Sequence, residues 1–140
     1  MRLVLDTDVV VAAMRSPSGA SAALLMAARR GEIQMLANVG LALEYEATCR
    51  RVEHGVAAGL SPAQVVIFID AVIAMAEPVE THFLWRPQLR DPGDEIVLEA
   101  AVNGRAGAIV TFNRKDYGDV PVRFGLEVIA PADALRRINS

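Results

Sequence analysis

The chain has 140 residues, one domain's worth (1–140) and enough to bury a sizeable core, and its 14 basic and 17 acidic residues give a net charge of -3. That balance carries no global sign of nucleic-acid binding, so any such contact must be local. A single cysteine, Cys49, excludes an internal disulfide and a cysteine-rich zinc centre, and the only histidines, His54 and His82, read as surface residues.

In chain order, Arg2 to Leu5 reads as a strand. Ser21 to Arg30 reads as a helix stopped by a left-handed Gly31, and Ile33 to Ala37 as a second strand. A helix is expected from Val39 to His54, then a turn over Gly55 to Leu60. Ser61, Pro62 and Gln64 supply the cap, first-turn proline and capping-box partner of a helix reaching Ala76. Its apolar positions Val65, Val66, Ile69, Val72 and Ile73 keep a helical period, a core or partner face. Pro78 to Arg90 reads as irregular. A helix starts near Pro92, strands follow at Ala108 to Val110 and Leu126 to Ile129, and Pro131 opens a terminal helix. This alternation implies a three-layer α/β/α fold with a central parallel sheet whose strand ends share one edge.

Polar residues gather at that edge. Asp6 ends the apolar run Leu3-Val4-Leu5, where ligands bind in such sheets, although capping the next helix would explain one aspartate equally well. In the helix after Val39, Leu41, Tyr45, Thr48, Cys49 and Val52 form one stripe, with Glu44 on its edge and Glu46 opposite. A carboxylate facing the core needs a partner, which is either a cation site or a salt bridge to Arg50 or Arg51. Cys49 on that stripe reads as a buried structural thiol. In the helix after Arg90, Val97, Leu98, Ala101 and Val102 form the apolar face and Asp94 projects from it, while Glu95 and Glu99 point elsewhere. Asp91 there reads as an N-cap, with Asp94 its capping-box partner or a ligand. Together with Asn113 and Asp116 beyond the Ala108 strand, Asp6, Glu44 and Asp94 make a hard, oxygen-only donor set suited to magnesium or manganese. That chemistry implies metal-assisted phosphodiester hydrolysis.

These residues resemble the PIN-domain ribonucleases, and especially the toxin components of bacterial toxin-antitoxin pairs. The resemblance rests on Val4-Leu5-Asp6-Thr7-Asp8-Val9-Val10 with Ser16-Pro17-Ser18-Gly19, on Leu43-Glu44-Tyr45-Glu46, on Leu89-Arg90-Asp91-Pro92-Gly93-Asp94-Glu95, and on Ile109-Val110-Thr111-Phe112-Asn113-Arg114-Lys115-Asp116-Tyr117. It implies a Rossmann-type topology, with Asp6, Glu44 and Asp94 as metal-binding, catalytic acids. Asn113 stands where many members carry a fourth acid, with Asp116 three residues on, and Asp8 stands where asparagine is usual. Thr7 and Thr111 would be hydroxyl donors. Arg90, Arg114 and Lys115 are candidates for holding RNA phosphates, or are solvated surface charges, with Arg50, Arg51 and Arg86 as the alternatives.

A haloacid-dehalogenase-like phosphatase also fits Asp6-Thr7-Asp8-Val9, but that mechanism needs a lysine ahead of the last acids, and the only lysine is Lys115. A non-catalytic interaction domain is the remaining alternative. The hydrophobic fraction of 53% and mean hydropathy of +0.31 imply that a second copy or a partner covers the helices at Ser21 to Arg30 and Ser61 to Ala76, giving a homodimer or, as the resemblance implies, a complex with an antitoxin. With no apolar run near the roughly 20 residues that span a bilayer and no signal peptide, a cytoplasmic location is expected.

Overall fold

A computed structural model describes residues 1–81 and 88–140. His82 and Arg86, and that part of the expected irregular stretch, lie outside the described residues. The chain forms β1 (Arg2–Leu5), α1 (Thr7–Arg15), α2 (Ala20–Arg29), β2 (Gln34–Ala37), α3 (Val39–Cys49), α4 (Val52–Ala58), α5 (Pro62–Met75) and β3 (Glu77–Pro78). It continues through α6 (Pro92–Asn103), β4 (Ala108–Val110), a 3-10 turn (Arg114–Tyr117), α7 (Val120–Arg123), β5 (Glu127–Ile129) and α8 (Pro131–Ile138).

All described strands are parallel, in the order β3-β2-β1-β4-β5. Leu3, Val4 and Leu5 are fully buried because helices cover both faces of a parallel sheet, and they register with Ala108, Ile109 and Val110. Pro78 is tolerated in β3 because that strand lies at the edge, where a missing N–H disrupts no further ladder. This short strand replaces the irregular backbone expected from Pro78.

Two local readings are corrected. The helix α1 is not among the elements the sequence pattern predicts, since Val9-Val10-Val11 is a β-branched run that disfavours helix. Burial of those three valines, and a cap from Asp6, override the propensity. The single helix expected from Val39 to His54 is two helices, broken at Arg51, whose ψ of 136° is extended. The turn brings α4 onto α1 and leaves Val52, expected on the apolar stripe, 79% exposed. Gly55 then lies inside α4 rather than in a turn, where it is buried and a Cβ would stand 3.5 Å from the Val65 side chain. The left-handed residue that ends α4 is Gly59, with φ of 70°. The helix from Ser61 has the capping box expected of it. Val65, Ile69 and Val72 are buried, whereas Val66 is partly exposed. The 3-10 turn and α7 are too short for periodicity to announce them.

Gly104 closes α6 against β2 and β3. A Cβ there would meet Ala100 O at 2.8 Å, Val79 Cγ2 at 2.9 Å and Leu36 Cδ1 at 3.0 Å, while Gly104 O accepts from Arg2 Nη2 at 2.8 Å. Gly104→Ala is therefore expected to lower stability by about 1–3 kcal/mol through overpacking. A urea midpoint equal to the parent's would contradict this. Among the described residues, no single helix is long and apolar enough to cross a membrane.

Candidate active site

The chain leaves β1 for β2 and β3 on one side, then returns to β4 and β5 on the other, so the carboxyl ends of β1 and β4 meet at the topological switch point. Crevices outside such strand ends are where α/β folds bind ligands. Asp6 follows β1 and Thr111 follows β4, with Asp6 N donating to Val110 O at 2.9 Å.

Asp6 is 8% exposed and held on every side. Its Oδ1 accepts from Thr7 N at 2.8 Å, and its Oδ2 accepts from Thr111 Oγ1 at 2.8 Å and Tyr117 Oη at 3.0 Å. It is thus both the cap of α1 and a carboxylate locked at the sheet edge. Tyr45 Oη donates to Leu5 O just before it. Burial and the charges of the surrounding acids push the Tyr117 hydroxyl well above the usual phenol range, so it stays a donor.

Asp8 lies two residues on. Its Oδ2 accepts from Asn113 Nδ2 at 2.8 Å, Phe112 N at 3.2 Å and, weakly, Thr111 Oγ1 at 3.4 Å, while its Oδ1 is buried with no partner. Burial first, and the charge of Asp6 second, raise Asp8 to about 6. Asn113 thereby faces an acid as a donor, and its own backbone N–H donates to Thr111 Oγ1 at 3.0 Å.

Glu44 is half-buried and lines a cleft of about 330 Å3 with Asp6, Thr7, Asp8, Asp91 and Asp94. The salt bridge that would account for it is made by its neighbour: Arg50 pairs with Glu46 at 3.2 Å, and no ion pair involves Glu44 among the described residues. Asp91 caps α6, its Oδ1 accepting from Gly93 N at 2.7 Å, without the capping box that would explain Asp94. Asp94 is left half-buried and raised to about 6, by burial first and then by the charges of Asp6, Asp91, Asp116 and Asp8. Glu95, in contrast, is buried and accepts from Gln88 N at 2.9 Å and Leu89 N at 2.8 Å, tying the chain before Asp91 to α6.

Arg90, Lys115 and Asp116 line a second cleft of about 460 Å3 that shares Asp91 and Asp94 with the first. Arg114 is not brought there. It lines a separate groove with Glu127, Arg136 and Arg137 on the β5 side, because the 3-10 turn sends successive side chains in different directions. Sequence reasoning missed three groups: Glu95, Tyr117 and His54. His54, expected at the surface, lines the acid cleft. Only Tyr117 left a signal, as the last residue of the Ile109-to-Tyr117 motif. A larger apolar hollow of about 510 Å3 between α3, α5 and α6 has, among the described residues, only Tyr45, Glu80 and Glu99 as titratable groups, so the acid cleft is the richer chemical site.

The PIN domain family matches residues 2–115 of the chain. The chain belongs to the PIN domain family. PIN domains are generally nucleases and usually use divalent metal ions. The match spans Asp6, Glu44 and Asp94 and ends one residue before Asp116. No curated protein and no solved structure matches the chain.

Among the described residues, no three acidic, histidine or cysteine groups are arranged to enclose an ion by themselves. The donor chemistry nevertheless fits a hard cation. Asp8 offers a buried oxygen without a partner, the acids supply oxygen donors only, and magnesium keeps several waters while taking only one or two carboxylates. The raised carboxyls have a measurable consequence. Both bind protons more tightly folded than at the ordinary 3.8, so each contributes its stabilisation fully below that value and loses it as pH rises through about 6. In chelator, Asp94→Asn should melt near the parent at about pH 4 and above it beyond about pH 6. A gap that does not change with pH would contradict the repulsion.

Proposed function

We propose that this PIN domain is a metal-dependent endoribonuclease of bacterial toxin-antitoxin type. The observation that carries the reading is the convergence of Asp6, Glu44 and Asp94 on one cleft, with Asp94 explained by neither a cap nor an ion pair. A bound Mg2+ or Mn2+ supplies Lewis-acid activation of water and neutralises charge on the phosphoryl oxygens.

The chain's own groups do the rest. Asp6, fixed by Thr7, Thr111 and Tyr117, gives a preorganised carboxylate that needs no rearrangement to act. Glu44 and Asp94 approach from α3 and α6, so the donors sit on rigid elements. Asp8 is steered by Asn113 and Phe112 N, which leaves Oδ1 for the cation or its waters. Asp116 adds charge at the second cleft. Arg90 and Lys115 line that cleft and are suited to hold a phosphate there, while Arg114, on the β5 side, is suited only to a more distant one.

The choice of RNA, the antitoxin, a homodimer and a cytoplasmic location rest on the resemblance and the composition. The apolar surface on α2 and α5 supports assembly, with Met26 46% and Ile67 68% exposed. An antitoxin would inhibit most simply by placing a basic side chain among the acids.

Incubating the purified chain with RNA tests the activity. Internal cuts with magnesium or manganese, and none in excess chelator, are the expected result, and cutting that persists in chelator contradicts it. Induced expression should arrest growth, and the arrest should be relieved by the product of a neighbouring reading frame. Normal growth under induction would remove the toxin role.

A further inference from the structure

The two clefts share Asp91 and Asp94 and so lie side by side on either side of those acids. A strand cut over the acids must leave along both arms, each carrying a phosphate beside the one attacked. The arm toward the second cleft has Arg90 and Lys115. The other arm is lined by Asp6, Asp8 and Glu44, which repel a phosphate, and among the described residues its only nitrogen-bearing side chain is His54.

His54 does not act alone. The break at Arg51 brings α4 onto α1, and Arg15 Nη1 lies 3.5 Å from His54 Nδ1. A guanidinium only donates, so Nδ1 is the acceptor and the ring proton is on Nε2, which makes the ring a donor. Arg15 is exposed and, among the described residues, has no carboxylate partner. We propose that Arg15 and His54 form a phosphate subsite that holds the nucleotide flanking the cleaved bond on the α1–α4 side. This inference rests on the nuclease reading above.

An ordinary role for Arg15 exists as well, since a cation in the last turn of α1 favours the helix dipole. Kinetics on a single-stranded oligoribonucleotide extending both ways past the cut separate the two. Arg15→Gln and His54→Gln should each raise KM about tenfold with a much smaller change in kcat, and Arg15→Gln should lower the salt slope by about one. Arg15→Lys should recover most of the loss. Arg29→Gln, which removes the matching last-turn charge of α2 and lines neither arm, should leave KM at the parent value. If the parent cleaves RNA and Arg15→Gln behaves like Arg29→Gln, the subsite is overturned while the nuclease reading stands. If the parent cleaves no RNA with either metal, both fall together.

Discussion

Asp94→Asn is expected to reduce metal-dependent cleavage about a thousandfold while leaving the metal-free fold as stable as the parent or more so. The activity loss follows from the several kcal/mol that a charged donor contributes to charge stabilisation in the reaction, at about 1.4 kcal/mol per tenfold. The stability gain follows from position. Asp94 accepts no capping bond, and its raised carboxyl reflects burial and four neighbouring acids, so a neutral isostere removes repulsion and breaks nothing. Such an opposition of stability and activity marks a group retained for function. Kinetics and a melting curve in chelator check both halves. A destabilised variant would show that Asp94 is structural, and one with near-parent activity would show that cleavage does not need it.

Asp6→Ala should be the most damaging single change in the cleft, because it removes a cap and a buried acceptor together. Tyr117 is fully buried and its hydroxyl has Asp6 as its hydrogen-bond partner, while the Thr111 hydroxyl, which accepts from Asn113 N, would have as an acceptor for its own proton only the 3.4 Å contact to Asp8. An orphaned buried donor costs about 1–3 kcal/mol and a lost cap about 1 kcal/mol, so a loss of about 3–5 kcal/mol is expected when Thr111 is included. Relief of repulsion on Asp8 and Asp94 offsets part of it. Asp6→Asn keeps the shape and an acceptor for Thr7 N, so it should fold and still be inactive. Adding Tyr117→Phe to Asp6→Ala should recover some stability, since the orphan disappears, and strictly additive losses in a double-mutant cycle would contradict the coupling.

The strands and the acids were legible for different reasons. Leu3-Val4-Leu5 and Ala108 to Val110 are continuous apolar runs of the kind a doubly covered parallel sheet requires, and they appear at those positions. Helical phase put Asp94 on the buried face and Glu95 off it, yet Glu95 is the buried one, because it turns back to hold Gln88 N and Leu89 N, and Asp94 is half-buried. Phase also misled where tertiary packing decided the backbone. It ran one helix through Arg51, which hid the approach of α4 to α1 and so placed His54 at the surface. It found nothing at Val9-Val10-Val11, where burial rather than propensity makes the helix. The separation of Arg114 from Lys115 depends on a single 3-10 turn, too short to carry a period.

Calorimetric titration of manganese into the purified chain near neutral pH, with Asp94→Asn in parallel, tests most directly whether the acids at the β1–β4 switch point are a cation site. Saturable binding by the parent, much weakened in the variant and matched by the metal concentration that supports RNA cleavage, is the expected result. No saturable binding by the parent, or equal binding by both proteins, would contradict it.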